Sequence, residues 1–262
     1  MFTDLMDTVL PLLQTASRPA IIARVRTPPT RSRRPEPAVQ RPRGRPPVPL
    51  DRIVATALQI IDDEGAEALS MRSLAQRLGS GTATLYRHFP NRVAVIAHVI
   101  DRVFGEVHLS AEELVAMELG DACRALAHNM FDALNRHRNV APLLVEQVPV
   151  GPNAMALRER GIALLLDNGF PPRLAARSYA TLARFVLGFA IQLVGRTDSP
   201  DDSQLATVFR SVDPSLLPAT AAVAEELPVP LQDEFAFGLE LILDGLTNYA
   251  AQPSNAVRRV TK

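Results

Sequence analysis

The sequence predicts an all-α fold in which a small amino-terminal three-helix unit precedes a larger helical body. Three observations carry this expectation. Apolar residues recur at spacings of three and four from Leu50 to Ala251. The alternation that a half-buried strand requires is absent, and so are βαβ units. Breakers at Pro149-Val150-Gly151-Pro152, at Gly169-Phe170-Pro171-Pro172 and from Asp198 to Pro200 cut the pattern into helix-sized pieces. At 262 residues, 47% of them hydrophobic, the chain is long enough for one or two domains with a real core.

Residues 1–48 read as a flexible arm. Met1 to Ile22 has a modest apolar pattern (Leu5, Val9, Leu12, Leu13) with Asp4 and Asp7 ahead of it, lacks the early positive charge of a secretory signal, and is assigned no function. The formal net charge of the chain is zero, yet Arg18, Arg24, Arg26, Arg31, Arg33, Arg34, Arg41, Arg43, Arg45 and Arg52 crowd its first fifth. From Thr27 to Pro49 the arginines and prolines leave too little apolar surface to offset ordering entropy. The string Pro42-Arg43-Gly44-Arg45-Pro46 resembles the core of an AT-hook, which implies minor-groove or phosphate contact by Arg43 and Arg45. The alternative is a solvated linker whose arginines reflect a GC-rich genome, since Lys262 is the single lysine.

The pattern sharpens at Leu50. Ile53, Ala57, Leu58, Ile60 and Ile61 form one stripe, Asp51 charges its start and Gly65 stops it. Leu69, Leu74, Ala75 and Leu78 make a second, shorter stripe with Ser70 as N-cap; after Gly79-Ser80-Gly81 a third run places Leu85 and Phe89 on one side, with Ser80 or Thr82 as its cap. With those two turned inward, Thr82, Ala83, Thr84, Tyr86, Arg87 and His88 face outward. Small groups, hydroxyls, an aromatic ring and cations suit a DNA major groove, as the second helix of a helix-turn-helix presents them. A surface helix whose polar face merely meets water has the same spacing.

The strings Gly65-Ala66-x-Ala68-Leu69-Ser70-Met71-Arg72-x-Leu74-Ala75-x-Arg77-Leu78-Gly79 and Thr84-Leu85-Tyr86-x-His88-Phe89-x-Asn91-Arg92 resemble the DNA-binding domain of the tetracycline-repressor family of bacterial transcription regulators. The resemblance implies that Arg72, Thr82, Ala83, Thr84, Tyr86, Arg87, His88 and Arg92 meet bases or phosphates. One departure stands out: Ser80-Gly81 replaces the Val-Ser that usually follows Leu-Gly, so the buried valine anchor of the turn is missing.

Residues 49–92 are thus the expected helix-turn-helix domain, 93–252 the expected effector-binding and dimerisation domain, and 253–262 a disordered tail. After Pro90, Val93 to Val107 reads as the helix leaving the reading unit, and the resemblance makes it the lever moved by an effector. The body reads as helices over Ala111 to Arg138, Val140 to Val148, Asn153 to Asn168, Pro171 to Gly195, Asp201 to Val212 and Leu231 to Ala251. Its two most apolar late helices carry Tyr179, Leu182, Phe185, Val186, Leu187, Phe189 and Ile191, then Phe235, Phe237, Leu239, Leu241, Ile242, Leu243 and Leu246. Apolar residues on more than one face need cover from two sides, and the family implies a four-helix bundle across a two-fold axis, a homodimer matched to a palindromic operator on double-stranded DNA. The lone Cys123, among apolar neighbours, reads as a small core residue in a reducing compartment.

For a small organic effector, His108, Asn129, Phe131, Leu144, Gln147, Phe185, Phe189 and Gln192 are the candidate pocket residues. The stretch Arg136-His137-Arg138 through Asn168-Gly169-Phe170, then Phe185-Val186-Leu187-Gly188, resembles the tetracycline-binding branch, in which His108 matches a drug-contacting histidine. The histidine and glutamate that organise magnesium there fall on Leu144 and Gln192, and leucine offers a hard cation nothing. An apolar or aromatic effector with no metal and no cofactor is expected. Catalysis is not: His88, His98, His108, His128 and His137 are scattered and no nucleophile-elbow, phosphate-loop or zinc-protease string occurs. No apolar run reaches the roughly 20 residues of a membrane span, so a cytoplasmic, nucleoid-associated protein without a membrane partner is expected. The family implies a repressor; an activator of the same fold and an architectural A·T-preferring binder working through the arm are the alternatives.

Overall fold

The structure, a computed structural model, describes residues 48–194 and 201–251. Arg43, Arg45, nearly all of the arm and the tail therefore lie outside the described residues. The described residues are helical, with no strand among them, and they fall in one compact unit, Pro46–Lys262.

Helix α1, Leu50–Glu64, buries Ile53, Val54, Ala57, Leu58, Ile60 and Ile61, and ends where Gly65 takes φ +86, a conformation that glycine adopts without the steric cost of a Cβ. A 3-10 turn, Ala66–Ala68, leads to α2, Met71–Arg77. Ser70 caps α2 as expected: its hydroxyl accepts from Ser73 N, and Ser73 Oγ accepts from Ser70 N. Gly79, at φ +60, turns the chain into α3, Thr82–Tyr86. The cap of α3 is Gly81, with no side-chain hydrogen bond, rather than Ser80 or Thr82.

Helix α4, Arg92–Phe104, opens one residue earlier than expected because the Asn91 side chain accepts from Ala94 N. Val95, Ile96, Val99, Ile100, Val103 and Phe104 are buried on it, each stabilising the fold by about 2 kcal/mol relative to an exposed side chain. They pack α4 against α1 on one side and the body on the other.

The run expected as one helix from Ala111 to Arg138 is two. Helix α5, Ala111–Val115, is held by a capping box between Ser110 and Glu113; α6, Leu119–Arg136, starts after Glu118 turns extended. No glycine or proline marks the break: Leu114 and Leu119 are both buried, and interrupting the helix lets both reach the core. Val140 to Val148 likewise resolves into a 3-10 turn, Arg138–Val140, and a short α7, Leu143–Glu146. Helix α8, Pro152–Asp167, is capped from outside: Asp101 of α4 accepts from Ala154 N at 3.0 Å and from the Asn153 amide at 3.1 Å. A Cβ at Gly151 would sit 2.3 Å from the Asp101 carboxyl, so only glycine admits this tertiary cap.

Helix α9, Pro172–Gln192, packs on α6, α8 and α12, Leu231–Ala251. Contrary to expectation, α9 is long and apolar enough to cross a membrane by length and composition, with a mean hydropathy of 1.2. It carries Arg173, Arg177 and Arg184 and contributes Val186 and Ala190 to the core, as a central helix of a helical body does. Between α9 and α12, α10 (Asp201–Arg210) and α11 (Pro218–Ala222) pack with a 3-10 turn, Ala224–Glu226; α11 and this turn have no counterpart in the sequence reading.

Candidate nucleic-acid interface and effector cavity

The reading surface follows from two buried anchors. Leu85 and Phe89 are 0% and 1% exposed, and Phe89 meets His98 of α4 edge-on with ring centroids 5.0 Å apart. Fixing that side of a five-residue helix leaves the other side to solvent. Thr82, Ala83, Tyr86, Arg87 and His88 are exposed, Tyr86 to 55%, and Thr84 is half-buried. Arg72 is exposed on α2, and neither it nor Arg87 has an ion-pair partner among the described residues. By contrast Arg77, next to this surface, is held by Glu64 at the end of α1. The unpaired guanidiniums are the ones available to phosphates or to guanine edges.

Arg92 is engaged inward on this surface. Its Nε donates to Leu69 O at 2.7 Å and its Nη2 to Ala66 O at 2.6 Å, and the residue is half-buried. These bonds clamp the first turn of α4 to the 3-10 turn between α1 and α2, so the guanidinium orients the head from inside. Sequence phase alone did not separate these roles, because the carbonyls it meets lie more than twenty positions upstream.

Ser80, in the place of the usual valine, is half-buried with its Oγ buried and unpartnered among the described residues. Its backbone still closes the turn, with Ser80 N donating to Ala75 O at 2.9 Å. The anchor position is therefore occupied, by a group that forfeits a hydrogen bond there.

In the body the structure does not bring the eight expected pocket residues together. Phe131 stacks on Phe235 with centroids 4.2 Å apart; Phe185 and Phe189 join the same cluster, which ties α6, α9 and α12. Leu144 is buried on α7, Gln147 is half-buried just past it, and the Asn129 amide folds back onto Ala125 O. Gln192 is exposed and bonds Gly188 O, while His108 is exposed on a separate, partly polar surface recess with Ser110, Asn153 and Arg160.

An apolar cavity of about 50 Å³ lies instead among α6, α8 and α9. Cys123, Leu126, Ala127 and Met130 line it from α6, Leu157, Gly161 and Leu165 from α8, and Tyr179, Leu182, Ala183 and Val186 from α9. None of the eight is among them. The signal that could have found it is a small residue on each facing stripe, Ala127, Gly161 and Ala183, which leaves space where large side chains would meet. At Gly161 a Cβ would come within 3.0 Å of the Tyr179 ring, so glycine there lets that ring lie across α8. Burial pushes the Cys123 thiol up to about 11, which makes it an inert wall at neutral pH.

Comparisons with known proteins agree with this architecture. Residues 53–99 match the model described as bacterial regulatory proteins, tetR family, and residues 111–249 match the tetracyclin repressor-like C-terminal domain. The HTH-type transcriptional repressor DrrR1 of Streptomyces coeruleorubidus is 30% identical over 223 residues, 79% of this chain and 80% of that protein. The crystal structure of apo ActR from Streptomyces coelicolor superposes with a TM-score of 0.71 at 34% identity, covering 78% of this chain and 97% of that one. The same protein in complex with actinorhodin gives a TM-score of 0.71 at 33% identity, covering 79% and 100%. A helix-turn-helix with an unpaired outward face, joined to a helical body whose model covers more than half of the chain, places this protein in the tetR family of bacterial transcriptional regulators.

Proposed function

We propose that this regulator is a homodimeric repressor that leaves a palindromic operator when a small, largely apolar organic effector enters the cavity among α6, α8 and α9. The cavity carries this reading. Sites for such molecules usually measure about 300–1,000 Å³, far above the 50 Å³ present, so an occupant has to push helices apart. Helices α6 and α8 both pack on α4, the helix that leaves the reading head, which gives the displacement a direct way out. The lining offers no carboxylate or imidazole, in keeping with an effector held without a metal. The actinorhodin complex of the similar Streptomyces coelicolor protein supports ligand response, and the repressor name of the Streptomyces coeruleorubidus relative supports negative control.

Dimerisation is supported by α9 and α12. Phe237 and Leu241 of α12 are 68% and 59% exposed. Gly188 of α9 and Gly245 of α12 have nothing within 4 Å of a would-be Cβ, so a second pair of helices can approach closely. In the reading head Thr82, Ala83, Thr84, Arg87 and His88 contact base edges, Arg72 and Tyr86 the backbone, and Arg43 and Arg45 the flanking minor groove. The working site is the cytoplasm.

Selection of bound duplexes from a random pool at near-physiological salt tests this reading. A palindromic consensus with half-sites about one helical turn apart is the expected result. Enrichment of A·T-rich, non-palindromic duplexes alone would overturn it in favour of an architectural binder.

A further inference from the structure

Three residues at and just past the end of α6, Arg136, His137 and Asn139, hold both helices that carry the reading head. His137 Nδ1 lies 2.8 Å from Asp62 Oδ2 in the last turn of α1, and its Nε2 lies 3.1 and 3.2 Å from the carboxylate oxygens of Glu106, just past the end of α4. Arg136 reaches the same Glu106 carboxylate through Nε and Nη2 at 3.3 Å. The Asn139 amide donates to Ile61 O at 3.0 Å, which also accepts from Gly65 N, and to Asp62 O at 3.1 Å, in the last turn of α1. His137 is 16% exposed, and Asp62 Oδ1 is buried with no partner among the described residues. The ring thus bridges one carboxylate at the end of α1 and one just past the end of α4. Withdrawing the ring would strand Asp62, whose carboxyl burial already pushes up.

The other end of the same helix lines the cavity. Cys123, Leu126, Ala127 and Met130 belong to α6, and the helix runs unbroken from Leu119 to Arg136 before reaching the grip. A rod of that length moves as one piece when a side chain on it is displaced.

We propose that His137, with Arg136 and Asn139, is the coupling joint of this regulator: it passes a displacement of α6 to the ends of α1 and α4 together, and so to the pose of the reading helix. This rests on the cavity being the effector site. His137 is a positioning residue, touching neither DNA nor effector. The joint acts on both carriers of the head at once, where a push on α4 alone would move one of them.

A double-mutant cycle on the full chain tests the joint, with a duplex enriched by selection as the probe. Ala127→Leu fills the cavity in place of the effector, and His137→Gln keeps a polar side chain without the ring that spans the two carboxylates. Dissociation constants are measured for the parent, both single variants and the double variant. Ala127→Leu is expected to weaken duplex binding by roughly tenfold in the parent and by less than about threefold in the His137→Gln background. Equal losses in both backgrounds would overturn the joint and leave the cavity reading standing. No loss in the parent would overturn the cavity reading, and the joint with it. If Ala127→Leu does not fold, Cys123→Met fills the cavity from the same helix, and the same comparison decides. Hydrogen exchange supplies a second readout: His137→Gln should speed exchange in the last turns of α1 and α4 and leave α8 unchanged, and unchanged exchange at α1 and α4 would overturn the joint.

Discussion

The reading head and the helical body are both built around a few fully buried side chains, yet they place their candidate functional surfaces in opposite ways. In the head, function is what remains outside once Leu85 and Phe89 are buried. A five-residue helix has so few positions that anchoring Leu85 on it, and Phe89 three residues past its end, determines where the others point. In the body, the proposed effector site is what remains inside when side chains from α6, α8 and α9 fail to fill the space between them. An outward face is a property of one helix, whereas a cavity is a property of three, and no single stripe contains it.

The largest effect should come from breaking the head at its anchor. Phe89→Ala removes a side chain that is 1% exposed and should cost about 3–5 kcal/mol. Denaturant unfolding followed by circular dichroism would register it, together with loss of all duplex binding. The body offers the matching test through its buried thiol. With Cys123 raised to about 11, its thiolate is scarce at pH 8, and alkylation should run at least about a hundredfold slower than in the unfolded chain, where a free cysteine titrates near 8.5. The rate should climb as pH rises towards 11. Labelling as fast as in the unfolded chain would show that this wall is open to solvent.

Within the head, two arginines sharpen the contrast between holding and reading. Arg92→Ala removes the bonds to Ala66 O and Leu69 O and should lower stability by about 1.5–3 kcal/mol, seen as a drop in melting temperature before any DNA is added. Arg87→Ala should leave the melting temperature in place and relax base preference at one operator position by about 1–3 kcal/mol. If the two variants exchanged phenotypes, the roles assigned from the structure would be reversed. The smallest change is a gain: Ser80→Val replaces the unpartnered hydroxyl with methyl groups and should stabilise the head by about 1 kcal/mol, measured by the shift of the denaturation midpoint.

What was legible in the sequence follows the same division. The Ser70 cap, the positive-φ stops at Gly65 and Gly79 and the inward phase of Leu85 and Phe89 are local, and they stand in the structure as the spacing predicts. The break between α5 and α6 was not legible, because it answers the burial of Leu114 and Leu119 and carries no breaker of its own. The inward bonds of Arg92 were not legible either, because exposure phase cannot see carbonyls contributed by a distant turn. Spacing along the sequence singles out Phe131, Phe185 and Phe189 but not their meeting point: packing brings them together around Phe235 as a tie between helices.

By itself, then, the amino-acid sequence determined the all-α class, the helix-turn-helix, the family and the residues that face outward on the reading helix. Each of these depends on chain neighbours within a turn or two, where propensity, capping and periodicity act. Tertiary structure alone decided where the cavity opens, which arginine holds the head from within, and that His137 joins α6 to Asp62 and Glu106 across 75 and 31 positions of chain. Those outcomes depend on which stripes face each other after packing, and the energy that selects among packings is shared by many side chains at once.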